Sequence, residues 1–147
     1  MKYLLDTNII SEIRKGPRCH PNVAAWCSNL EEDSLYLSVL VLGEIRKGIE
    51  GLRGRDTGKA NELDLWLEQL QTSFQSQILP VDTAISQEWG RLSSLHTVPV
   101  IDGLLAATAI AHGLVFVTRN TRDFADLGIQ LLNPFEIGSL VQSRVQS

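Results

Sequence analysis

Only two of the 147 residues are cysteine, Cys19 and Cys27, and few other metal-ligating side chains stand near them. That scarcity excludes a disulfide-stapled scaffold or a cysteine-rich zinc module, so both are read as reduced structural thiols. His20 beside Cys19 adds one more ligand type, too small a set for zinc. No apolar run approaches the roughly 20 residues of a membrane span. The N-terminal apolar run carries one lysine before it and is broken at Asp6, which is not the shape of a leader peptide. These absences predict a cytoplasmic protein without membrane contact. Basic charge is also scarce: the net charge is −4, no basic residue falls between Lys59 and Arg91, and no lysine follows Lys59. A broadly cationic nucleic-acid-binding surface is therefore excluded. The cations gather instead in "EIRKGPR", "GEIRKGIEGLRGR" and "TRNTRDF".

What is present suffices for a core. At 44% hydrophobic content the chain predicts one domain over residues 1–147. Residues 2–5 read as a buried strand and 7–15 as a helix stopped by Gly16-Pro17. "PNVAAWCSNL" is a helix with Pro21 in its first turn. "LYLS" is a strand and "VLVLGEIRKGIEGL" a helix lined by Val41, Leu42, Ile45 and Ile49. A Gly/Arg-rich loop, "GLRGRDTG", precedes the long helix "KANELDLWLEQLQTSF". "QILPV" is a strand, and a helix over 82–96 is capped by Asp82 or Thr83. "IDGLLAATAIAHG" is a helix apolar nearly all round, closed by Gly113. "LVFVT" is a strand, "NTRDFADLG" a turn or short helix, and "IQLLN" the last strand before Pro134 and a polar tail. Strands alternating with helices imply an α/β fold with a parallel sheet covered on both faces.

Ligands of such sheets sit beyond the carboxyl ends of the strands. Asp6 follows the first strand, Ser38 ends the second, and Glu44 lies early on the next helix. Asp102 opens the buried helix, while Thr118, Asn120 and Asp123 follow the strand it leads into. Four carboxylates from distant segments thus converge on one edge. Most have an ordinary alternative, since Asp6 and Asp102 can cap helices and Asp123, like Asn120, can be a turn residue, but Glu44, at the border of its helix's apolar face, is harder to dismiss. Like charges about 4 Å apart repel by roughly 4 kcal/mol at an effective dielectric of 20. A cation among them would relieve this. Oxygen ligands without His or Cys suit Mg2+ or Mn2+, which can activate water and steady a phosphate for in-line attack.

The blocks "LLDTNIISEIRKG", "SVLVLGEIRKGI", "IDGLLAATAIAHGLVFVTRNTRDF" and "LLNPF" resemble PIN-domain ribonucleases of the VapC type, including the FitB branch, over almost the whole chain. The resemblance implies a three-layer α/β/α domain whose five parallel strands run in the order 3-2-1-4-5, and a Mg2+- or Mn2+-dependent endoribonuclease. It assigns the acidic site to Asp6, Glu44, Asp102 and Asp123, with Asn8, Thr118 and Asn120 in support. It further implies a homodimer, a cognate antitoxin that inhibits the site, and operator DNA bound only through that antitoxin. In this reading Asp6, Asp102 and Asp123 hold the metal and Glu44 serves the attacking water. Arg14, Lys15, Arg46, Lys47, Arg119 and Arg122 are candidates to guide the RNA backbone.

Three rivals remain in view. A phospho-acceptor receiver domain would need a lysine near its final strands, and none is there. An aspartyl phosphatase would want an acid where Asn8 stands. The third is a non-catalytic or weakly catalytic regulatory partner acting in a DNA-binding complex with its antitoxin. No function is read from the acidic stretch 62–88.

Overall fold

The computed structural model describes residues 1–136, so the expected polar tail, residues 137–147, lies outside the described residues. β1 (Tyr3–Leu5) places Leu4 and Leu5 at the centre of the core, both with no exposed surface. It ends where the Asp6 carboxylate accepts the Thr7 N–H at 2.8 Å and starts α1 (Thr7–Ile13). α1 is shorter than the expected 7–15. The chain leaves it through a 3-10 turn at Gly16–Arg18, where Gly16 adopts a left-handed φ of 61°. α2 (Pro21–Ser28) follows, capped by the His20 imidazole, which accepts the Asn22 N–H through Nδ1 at 3.1 Å.

β2 (Leu35–Ser38) passes directly into α3 (Val39–Arg53), with Ser38 Oγ accepting the Leu40 N–H at 3.0 Å. Val41, Ile45 and Ile49, one per turn, are its buried stripe. α4 (Thr57–Ser73) returns alongside, capped by Asp56 through the Lys59 N–H. The Gly/Arg-rich stretch is therefore not the loop it resembles: α3 continues to Arg53 and α4 begins at Thr57. Glycine at position 51 costs an exposed helix about 1 kcal/mol, which the α3–α4 contact offsets. Arg53 spans that contact with both oxygens of Asp64 at 2.9 Å and with Glu50, while Arg46 reaches Asp64 at 2.7 Å and Glu50 at 2.9 Å.

β3 is only Ile78–Leu79, because Pro80 lacks the N–H needed to extend the ladder. Asp82 caps α5 (Thr83–Leu95) by accepting the Ile85 N–H at 3.0 Å. α6 (Val100–His112) ends on Gly113 at φ 64°, the left-handed stop expected there. β4 (Val115–Val117), α7 (Thr121–Phe124) and β5 (Leu131–Leu132) complete the alternation. The strands form one five-stranded sheet in the order β3-β2-β1-β4-β5. All pairings are parallel, with Tyr3 level with Leu35 on one side and with Val115 on the other. The fold class and strand order agree with those implied by the resemblance. No helix among the described residues is long and apolar enough to cross a membrane.

The first strand is central, with the chain proceeding to one side and later to the other. The order therefore reverses between β1 and β4, where a parallel sheet opens a crevice at its carboxyl edge. α5 and α6 pack closely enough that a side chain at Gly103 would press on its neighbours. A Cβ there would lie 3.1 Å from Trp89 Cδ1, 3.2 Å from Trp89 Nε1 and 3.3 Å from Val98 Cγ1. Among the described residues the buried Trp89 N–H has no hydrogen-bond partner, and the indole packs against Gly103. At Gly48 on α3 a Cβ would meet nothing within 4 Å. Gly103→Ala gains about 1 kcal/mol of helix propensity but incurs about 1–3 kcal/mol of overpacking, a net loss, whereas Gly48→Ala keeps the gain. Urea unfolding midpoints of the two variants should move in opposite directions from the parent.

Candidate active site

Three segments meet at the reversal point. The Asp6 N–H donates to the Val117 carbonyl at 2.9 Å, tying the end of β1 to the end of β4. One residue beyond, the fully buried Thr118 donates its hydroxyl to Asp6 Oδ2 at 2.7 Å. Asn8, in the first turn of α1, donates through Nδ2 to Asp6 Oδ2 and to Thr118 Oγ1, each at 3.3 Å. Its Oδ1 accepts the Arg119 N–H at 3.1 Å, and the Asn120 N–H donates to Thr118 Oγ1 at 3.0 Å. Asn8, Thr118 and Asn120 thus come together around Asp6, which is only 8% exposed. Asn120 is not left-handed, with φ −94°, and stands at the start of α7 without a capping side-chain hydrogen bond.

Capping accounts for one oxygen of Asp6 and leaves the other in the Thr118–Asn8 cluster. Burial pushes its carboxyl above the ordinary carboxylate range. Hydrogen bonds from Thr118 and the Thr7 N–H oppose that, and the charge of Glu44 adds to it. Glu44 itself is exposed on α3 and accepts the Thr7 hydroxyl at 2.7 Å. That bridge from α1 to α3 had no counterpart in the sequence reading, because a threonine after an aspartate reads as a cap. Ser38, fully buried, is occupied in capping α3.

Asp102 stands in the first turn of α6 and makes no capping hydrogen bond, and the residue at the cap is Pro99. Burial first, then the charges of Asp6, Asp123 and Glu44, push its carboxyl up. Asp102 thus feels the other three acids, and Asp6 feels Glu44. Asp123, exposed on α7, also borders a cleft of about 310 Å³ with His96, Val98, Arg122 and Asp126. Among the described residues no lysine or arginine pairs with any of the four acids.

The donor set is all oxygen, anionic and uncompensated, which fits a hard divalent cation. Among the described residues no three His, Cys, Asp or Glu side chains stand close enough to ligate one ion together. A cation here would have to take one or two of these carboxylates directly and the rest through water.

The candidate cations have different fates. Lys15 is bound to Glu12 at 2.9 Å, and Arg46 to Asp64 and Glu50. Arg14 lies over the Trp66 ring at 5.6 Å, and Arg119 over Phe135 at 4.4 Å. Lys47 and Arg122 are exposed.

Residues 3–130 match the PIN domain. The VapC ribonuclease Y4jK of Sinorhizobium fredii is 32% identical over 90% of this chain and 97% of its own length. Toxin FitB of Neisseria gonorrhoeae is 33% identical over 90% of this chain and 97% of its own. The solved structure of FitAB bound to a DNA fragment superposes with a TM-score of 0.82, at 31% identity, over 93% of this chain and 98% of that one. Sequence and strand order coincide in one identification: the chain belongs to the PIN-domain family, in the branch of the VapC and FitB toxins.

Proposed function

We propose that this protein is the ribonuclease toxin of a toxin–antitoxin pair, hydrolysing RNA phosphodiester bonds with a divalent cation held at the carboxyl edge of its sheet. The observation that carries the reading is the convergence of Asp6, Glu44, Asp102 and Asp123 with no lysine or arginine paired to them among the described residues. Clustered carboxylates destabilise a fold, and a bound cation would relieve their repulsion. Its membership among ribonucleases named VapC supports the same reaction, and FitAB on DNA supports an antitoxin partner through which operator DNA is bound. A homodimer and a cytoplasmic location belong to this reading as well.

Asp6, Asp102 and Asp123 would hold Mg2+ or Mn2+, directly or through water. When bound, the cation supplies Lewis acidity toward the scissile phosphate. The chain's own residues do the rest. Thr118 and Asn8 donate to the same Asp6 oxygen and hold the carboxylate in one orientation, which a mobile side chain could not keep. Glu44, exposed and steadied by the Thr7 hydroxyl, accepts the proton of the attacking water as its oxygen bonds to phosphorus and the leaving ribose oxygen departs.

Asp6→Asn and Asp102→Asn should abolish RNA cleavage and growth arrest in proteins that remain folded, and Glu44→Gln should slow cleavage by about 10²–10⁴-fold. Chelation with EDTA should stop the parent and added Mg2+ or Mn2+ restore it. A folded Asp6→Asn variant cleaving at the parent's rate would remove the assignment. Stability should move the other way. Because folding raises the Asp102 carboxyl's pKa, its favourable contribution is full below the unfolded value near 4 and is lost as pH rises through the folded value. Asp102→Asn should therefore melt higher than the parent at neutral pH in EDTA, with the gap closing on acidification below about pH 4. Added Mn2+ should raise the parent's melting temperature and leave the variant's unmoved.

A further inference from the structure

The acidic edge repels the polyanion it is proposed to cleave, so some cation must hold the substrate there. We propose that Arg119 binds the backbone phosphate of a nucleotide flanking the scissile bond, and that Phe135 positions its guanidinium for this; the inference rests on the ribonuclease reading above. Four observations single out Arg119 among the cations. Its N–H is bound by Asn8 Oδ1 at 3.1 Å, and the Asn8 amide reaches Asp6, so its backbone is two hydrogen bonds from the central carboxylate. It directly follows Thr118, whose hydroxyl donates to Asp6. Its side chain is exposed and ion-paired with no carboxylate among the described residues, unlike Lys15 and Arg46. The guanidinium lies against a ring face, 4.4 Å from the Phe135 centroid.

The last point decides the chemistry. A carboxylate partner would neutralise the arginine and occupy its donors. A ring face attracts the cation while leaving the N–H groups at its edge free for a bidentate anion such as phosphate. The brace is itself held on three sides. The Phe135 N–H donates to Asn133 Oδ1 at 3.0 Å, its carbonyl accepts the Asn22 amide at 2.7 Å, and its ring meets the His20 imidazole edge-on with centroids 5.3 Å apart. Phe135 follows β5 and Arg119 follows β4, so both stand at the carboxyl edge that carries Asp6.

The test is a fluorescence-anisotropy titration of a short labelled single-stranded oligoribonucleotide in EDTA, repeated over a range of salt concentrations, with cleavage kinetics in Mn2+ alongside. Arg119→Ala should weaken binding about tenfold and reduce the slope of log affinity against log salt by about one. Arg119→Lys should recover the slope but not the affinity, because an ammonium neither stacks nor forks. Phe135→Leu should weaken binding about two- to fivefold and raise KM more than it lowers kcat. An Arg119→Ala protein with the parent's affinity and salt slope, in a preparation whose parent cleaves RNA and whose Asp6→Asn form does not, would overturn the phosphate site and leave the ribonuclease reading intact. A parent that neither binds nor cleaves RNA would overturn both.

Discussion

The hydrogen bond from the Thr118 hydroxyl to Asp6 Oδ2, 2.7 Å and buried, joins the two halves of the sheet at the point where strand order reverses. The acidic edge depends on it. Burying a carboxylate costs several kcal/mol unless its oxygens are occupied. Asp6 satisfies that condition by accepting from Thr7, Thr118 and Asn8, groups that precede or follow the same crevice. One contact therefore serves folding, by allowing β1 to end in a charge, and site geometry, by giving that charge a single orientation. Asn8 extends the arrangement outward, since the side chain that touches Asp6 also fixes the backbone of Arg119.

Around this hub the fold spends stability. Asp102 and Asp6 both sit where burial and neighbouring acids disfavour their ionised forms. The remainder of the molecule offsets it through ordinary means. Leu4, Leu5, Phe116 and Val117 are buried on the two central strands, α3, α4 and α5 are capped by Ser38, Asp56 and Asp82, and Gly103 lets α5 press onto the first turns of α6. That contact matters beyond packing, because Asp102 precedes Gly103 and inherits its position from the fit of Trp89 against that glycine.

Much of this was legible in the residues, for identifiable reasons. Hydrophobic periodicity and strong punctuation, such as Ser38 before Val39 and Gly113 after His112, are local signals, and they located the five strands and the helices up to α6, leaving α7 as a turn or short helix. Acids at strand ends are local too, so Asp6, Glu44, Asp102 and Asp123 could be assembled from topology. What escaped was set by partners distant in sequence. The loop expected at 51–58 is largely helical because Arg53 and Asp64 hold α3 against α4, and a glycine-rich string does not announce that pairing. The strand expected over 77–81 shrinks to Ile78–Leu79 because Pro80 cannot donate to β2. Thr7 bridging to Glu44 and Phe135 bracing Arg119 are side-chain contacts between segments that no periodicity links.

The same distinction bears on how an acidic protein could handle the polyanion proposed as its substrate. The net charge of −4 is a sum, and binding depends on which cations are already spoken for. Arg46, Arg53, Lys59 and Arg91 are paired with carboxylates on or between α3, α4 and α5, so they stabilise that surface and contribute little field. Arg14 and Arg119 lie instead against aromatic rings, which leave a cation's charge intact. The surfaces of α3, α4 and α5 thus consume positive charge, whereas Arg119 keeps its charge at the crevice edge, beside the acidic cluster.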